Sequence, residues 1–213
     1  MKIGILGTGD VGVALARGFL GRGDEVKIGS REGGGEKLTA ALERLGGKAT
    51  GGTFADVAAW ADMVVLATLG AVNESVIGKA GPDNLAGKVL IDATNPLDFS
   101  GGMPPRLLSP DGSGGQEVQR LAPKAKVVKA FNTVGNALMV NPQLPGGPPT
   151  MFICGDDDGA KQTVAEVCRA FGWEVADIGG IDASHYLEAM CLVWVLHGAR
   201  SGAWNHAFKL LRG

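Results

Sequence analysis

The chain has 213 residues, 45% apolar and 20% charged, which is the balance of a globular protein whose core needs no disulfide or metal staple. A formal net charge of −2 and a single tyrosine, Tyr186, leave no electrostatic or base-stacking case for nucleic acid, and none for an anionic membrane. Glycine supplies 35 residues without a collagen-like period, so it reads as punctuation between many short elements.

Cys154, Cys168 and Cys191 are odd in number and widely spaced, with no CxxC and no Cys/His ligand spacing. They read as buried thiols of a reducing compartment, with no metal site. After Met1 and Lys2 the apolar run is too short for a secretory leader. The longest apolar stretch, 192–196, falls far below the roughly 20 residues of a membrane span. The expected location is the cytoplasm.

From the first residue, apolar runs alternate with helical patterns. Strands are expected over 2–6, 25–29, 63–67, 89–92, 126–129, 150–154 and 174–177. Helices are expected over 11–21, 36–45, 54–61, 116–121 and 159–171. The strands are nearly continuous in apolar residues, as when helices cover both faces of a sheet. The alternation predicts an α/β fold, a doubly wound, Rossmann-type and mostly parallel sheet. Residues 98–115 and 141–149 are too rich in Pro and Gly for regular structure. The first of these loops could act as a lid, hinged at Gly101-Gly102 and Gly114-Gly115. Residues 182–211 read as one or two helices, which Gly198 and Gly202 could interrupt. Two parts result, a binding domain over 1–180 and a helical appendage over 181–213. The appendage carries more apolar residues than one sheet face can cover, so it is expected to form a homodimer interface.

The sharpest motif is Gly7-Thr8-Gly9-Asp10-Val11-Gly12, directly after the first strand and opening the first helix. In that context Gly7 permits a tight turn, Gly9 lets a pyrophosphate approach the backbone, and Gly12 allows close helix–strand packing. The N–H groups of Asp10 and Val11 would face the phosphates. At the end of the second strand Ser30 and Arg31 stand where an acid would bind a ribose 2′-OH, so the expected cofactor is NADP(H). Glu32 is the competing ribose acid, and Lys37 a candidate second cation. Three more strand exits should wall the site: Thr68-Leu69, Asn95-Pro96 and Asn132-Thr133-Val134.

These stretches make the chain resemble the coenzyme F420-dependent NADP oxidoreductases over nearly its full length. The matching motifs are GTGDVG, GSR at 29–31, VKAFNT at 128–133 and CGDDDGAK at 154–161. VKAFNT also resembles the cytosolic domain of the six-transmembrane metalloreductases, which hands NADPH hydride to a flavin. The resemblance implies that Thr8 to Val11 line the pyrophosphate and Ser30-Arg31 the 2′-phosphate. It places Thr68, Leu69 and Asn95 beside the nicotinamide, and Asn132 and Val134 against the acceptor ring, F420 or a flavin. Bottom-up, Asp156 to Asp158 read instead as an acidic helix start.

Hydride transfer demands positioning more than acid–base chemistry, and no catalytic residue is assigned. Tyr186 lacks a lysine four residues on, and GxSxG and HExxH motifs are missing. His185, His197, His206, Asp182 and Glu188 read as capping or partner-contact residues. Two alternatives remain: a reductase of small hydroxyacids or imines, and a non-catalytic NADP-binding sensor. The hydroxyacid class usually needs a longer helical domain, with a lysine facing the nicotinamide, than residues 181–213 provide.

Overall fold

The computed structural model describes residues 1–108 and 112–213; residues 109–111, within the expected loop 98–115, lie outside the described residues. The elements in chain order are β1 (Lys2–Leu6), α1 (Asp10–Gly21), β2 (Glu25–Ser30), α2 (Glu36–Arg44), β3 (Thr50–Thr53) and α3 (Phe54–Trp60). Next come β4 (Met63–Leu66), α4 (Asn73–Ala80), β5 (Val89–Asp92), β6 (Leu97–Asp98), β7 (Arg106–Leu107) and α5 (Gly114–Leu121). The chain continues through β8 (Lys126–Lys129), β9 (Thr150–Gly155), α6 (Asp158–Ala170), β10 (Glu174–Asp177) and α7 (Ser184–Ser201).

Eight strands form one sheet in the order β10-β9-β8-β5-β4-β1-β2-β3. All pairs are parallel except β8 with β9. Alternate side chains of each strand enter opposite faces. Ile3, Ile5, Met63, Val65, Ile91 and Val128 join one core with α1, α2 and α6. Leu6, Val64, Leu66, Leu90 and Val127 join the other with α3, α4 and α5. Burial on both faces is why these strands read as unbroken apolar runs. The strand order reverses beside β1, between β2 and β4. In open α/β sheets that reversal opens a crevice at the carboxyl ends of the strands.

Several expectations are corrected. Residues 73–80 form a helix, and the Thr-Gly-Gly-Thr run at 50–53 is an edge strand paired to β2. The 98–115 segment carries a small antiparallel hairpin, β6 with β7. Gly114 and Gly115 are not loop residues: they form the first turn of α5. After β10 there is one α-helix: α7 ends at Ser201 and is capped by Gly202 in the left-handed conformation, which glycine adopts because it has no Cβ. The residues beyond run back along the sheet, where the Thr150 N–H donates to the Phe208 carbonyl at 2.9 Å. No described helix is long and apolar enough to cross a membrane.

Candidate dinucleotide cleft

A cleft of about 1170 Å³ opens at the crevice and is lined by the Gly7 to Val11 turn, the 29–37 segment and Thr68-Leu69. The three motif glycines answer to different constraints. Gly7 has φ +133°, and a Cβ there would overlap the Ala67 carbonyl, so the fold itself demands glycine. A Cβ on Gly12 would stand 2.5 Å from the Gly7 carbonyl oxygen, so this glycine keeps α1 close against β1. Gly9 is different. Its backbone is extended, with φ −77°, and nothing lies within 4 Å of where its Cβ would be. No side chain caps α1, whose first-turn N–H groups have no intrahelical acceptor. The empty space over Gly9 at a helix N-terminus has the shape and polarity an anionic group would fill.

At the outer end, Ser30 closes β2, and Arg31, Glu32, Lys37 and Arg44 line the same cleft. The Ser30 hydroxyl donates to the Gly34 carbonyl at 3.3 Å. Arg44 forms an exposed ion pair with Asp10 at 2.8 Å, and so partly neutralises the one carboxylate on the phosphate-facing turn. Both the Ser30-Arg31 pair expected to read a 2′-phosphate and its acidic competitor Glu32 therefore reach one end of the cleft.

At the inner end, Leu69 is 77% exposed and offers an apolar surface to the cleft. A Cβ on Gly70 would overlap the Asn95 carbonyl, which shows how closely the exits of β4 and β5 pack. Asn95 and Asn132 join the exits of β5 and β8. Asn95 Nδ2 donates to the Asn132 carbonyl at 2.8 Å, and Asn132 Nδ2 donates to Asn95 Oδ1 at 2.9 Å and to the Leu187 carbonyl at 3.0 Å. The preceding Phe131 is held at φ +64° although it is bulky and buried, a strained backbone at a strand exit.

Asn132 and Val134 do not present the open surface expected of acceptor-binding residues. They are 3% and 7% exposed, and Val134 packs into the core with Phe131 and Phe171. Neither they nor Asn95 line the cleft; Asn132 backs Asn95 through their paired amides. Asn136, two residues beyond Val134, does line the cleft.

Behind the exits of β5 and β8 lies a charged cluster that the sequence did not single out. Lys129, fully buried, donates to Asp92 Oδ2 at 2.8 Å and to the Thr94 carbonyl at 2.9 Å, and pairs with Glu188 Oε1 at 2.9 Å. Burial pulls the Lys129 pKa down, but the Asp92 and Glu188 carboxylates outweigh it and hold the pKa above the usual lysine value. The two Glu188 oxygens accept the N–H groups of Gly114 and Gly115, each at 3.0 Å. A glutamate on α7 thus caps α5, one of the two roles expected of it. The visible signal was a lone charge closing each of two apolar strands, since such charges need partners.

Asp157 caps α6 through the Ala160 N–H at 2.8 Å, so the acidic run is a helix start. No cluster able to hold a metal occurs among the described residues. All three cysteines are free and buried, and burial pushes the Cys154 and Cys191 thiols up to about 12. His185, His197 and His206 lie on α7 and the tail, where His206 stacks on Trp194 at 4.8 Å.

The profile described as coenzyme F420-dependent NADP oxidoreductase matches residues 2–96. The F420-dependent NADP reductase of Methanocaldococcus jannaschii is 33% identical over 201 residues, covering 89% of this chain and 89% of the relative. Metalloreductase STEAP3 of Rattus norvegicus is 33% identical over 192 residues, covering 90% of this chain but 36% of the metalloreductase. A crystal structure from Arthrobacter sp. FB24, provisionally named an F420-dependent NADP reductase, matches with a TM-score of 0.93 at 40% identity, each chain covered in full. With a sequence match that spans most of both chains and the phosphate-facing turn at its start, the chain belongs to the family of F420-dependent NADP oxidoreductases.

Proposed function

We propose that this chain transfers hydride between NADP(H), held in the cleft, and a deazaflavin of the F420 type or a flavin-like ring. The observation that carries the cofactor half is the unfilled space over Gly9 at the uncapped start of α1. Bound NADPH supplies the hydride at C4 of its nicotinamide. The chain's own residues supply position. The N–H groups of Asp10 and Val11 hold the pyrophosphate, and Arg31 takes the 2′-phosphate together with Ser30, whose hydroxyl turns to it from the Gly34 carbonyl. Leu69 covers one side of the nicotinamide and excludes water. Asn95, locked to Asn132, sets the wall against which the acceptor ring lies.

The acceptor half is supported by the names of the relatives, one an F420-dependent NADP reductase and another a metalloreductase. In this geometry Asn132 and Val134 act from behind Asn95, so they fix the acceptor's seat without forming its open face. We further propose that residues 181–213 serve as an appendage at a homodimer interface. Tyr186 and Val193 of α7 are 67% and 56% exposed, while Leu187, Cys191 and Val195 face the protein.

Anaerobic mixing of NADPH with F420, FMN, FAD and a panel of small carbonyl and imine compounds tests the proposal. Oxidation confined to F420 or the flavins supports it. Turnover of a hydroxyacid or imine partner supports the substrate-reductase alternative, and binding without any oxidation supports a sensor.

A further inference from the structure

Thr68 stands at the exit of β4, between the phosphate-facing turn and the buried cluster. Its methyl lies 3.3 Å from where a Gly7 Cβ would be, and it lines the cleft. Behind it runs a chain of hydrogen bonds whose direction is set from the buried end. Asp92, paired with Lys129, only accepts. It takes the Thr94 N–H at 2.9 Å and the Thr94 hydroxyl at 2.7 Å, both on Oδ1. The single Thr94 hydroxyl hydrogen is thereby used, so its oxygen can only accept, and it does so from Asn73 Nδ2 at 2.9 Å. Asn73 is buried, and with its NH₂ turned to Thr94 its amide oxygen faces Thr68. The Thr68 hydroxyl donates to that oxygen at 3.4 Å.

We propose that this relay holds Thr68 as a hydrogen-bond acceptor toward the cleft. Its proton is turned inward and its lone pairs outward. Thr68 would then accept from a donor on the nicotinamide riboside of the bound dinucleotide, either the carboxamide N–H or a ribose O–H. Asn73, Thr94 and Asp92 are positioning residues, since none of them need touch the ligand. The inference rests on the dinucleotide occupying this cleft, and its test separates the two ideas.

The test is calorimetric titration of the full chain with NADPH, with its 3-acetylpyridine analogue, which lacks the carboxamide N–H, and with 2′,5′-ADP, which lacks the nicotinamide riboside. Thr68→Val should weaken NADPH about tenfold, the worth of one hydrogen bond, and leave 2′,5′-ADP unchanged. An analogue equally tight on wild type and Thr68→Val assigns the donor to the carboxamide. An analogue weakened as much as NADPH assigns it to a ribose hydroxyl. Thr94→Val should reproduce the selective loss from two residues away, and Thr94→Ser should restore wild-type affinity. If Thr94→Val does not fold, Asn73→Leu, which removes the acceptor of the Thr68 hydrogen, takes its place with the same expectation and the same refuting result. Unchanged NADPH binding in Thr68→Val, with 2′,5′-ADP still bound, overturns the inference alone. A Thr94→Val protein that binds NADPH like wild type overturns the relay. A wild type that binds neither NADPH nor 2′,5′-ADP overturns the dinucleotide reading and this inference with it.

Discussion

Replacing Gly9 with valine should abolish dinucleotide binding and leave the protein folded. The backbone at Gly9 is extended with φ −77°, a conformation valine adopts freely, and no atom lies within 4 Å of the added Cβ. Valine is a poorer helix cap than glycine but restricts the unfolded chain, and these opposed effects leave a net change of about 1 kcal/mol or less. The space it fills is the space a pyrophosphate needs. Blocking two charge-assisted hydrogen bonds, each worth about 1.5–3 kcal/mol, amounts to a loss of about two to four orders of magnitude in affinity. Gly7→Val serves as the contrast. At φ +133°, with a Cβ overlapping the Ala67 carbonyl, it should destabilise the fold itself. NADPH fluorescence titration alongside thermal melting reads both effects. A Gly9→Val protein that melts like wild type and still binds NADPH with wild-type affinity would refute the placement of the phosphates.

Four further outcomes are expected. Arg31→Ala should weaken NADP(H) about ten- to a hundredfold and leave NAD(H) affinity unchanged, which titration of both cofactors reads; a variant with unchanged NADP(H) affinity would return the ribose to Glu32. Lys129→Met should cost about 3–5 kcal/mol, because it strands Asp92 and Glu188 as buried carboxylates; denaturant unfolding measures this. The raised Lys129 pKa makes its stabilisation fully present below the unfolded lysine value of about 10.4 and lost as pH climbs through the folded value. The difference in stability between wild type and Lys129→Met should therefore shrink only above that pH. Light scattering at micromolar concentration should show a dimer, and Val193→Glu should convert it to a monomer with the same melting profile.

Strand limits were legible where an apolar run is bounded by charged or turn residues, while fully buried β4 ends one residue before the expected limit. Residues 2–6, 89–92, 126–129 and 174–177 were expected as strands, and the structure bounds β1, β5, β8 and β10 at the same residues. β3 escaped because Thr-Gly-Gly-Thr at a half-exposed sheet edge has neither apolar content nor alternation, and its pairing with β2 is tertiary. The α7 stop was foreshadowed by Gly202 but obscured by the apolar tail, which packs without helical hydrogen bonds. At the candidate site, the local turn was readable because its three glycines fall within six consecutive residues. The ties of Asn95 to Asn132, and of Lys129 to Asp92 and Glu188, span 37 to 59 residues of chain, and no local pattern encodes them. That distance is also why Asn132 and Val134 were expected at an open surface: the strand exit was visible, but not the helix α7 that closes over it, whose Leu187 carbonyl accepts from Asn132.

The most direct test of the central claim is an anaerobic single-turnover experiment, in which NADPH, unlabelled or deuterated at the transferred C4 position, is mixed with the full chain and F420, with FMN alongside. Loss of NADPH should match reduction of one of these acceptors, deuterium should slow the step, and NADH should reduce the acceptor far more slowly. NADPH left unoxidised by both acceptors, or NADH consumed as fast as NADPH, would contradict the account.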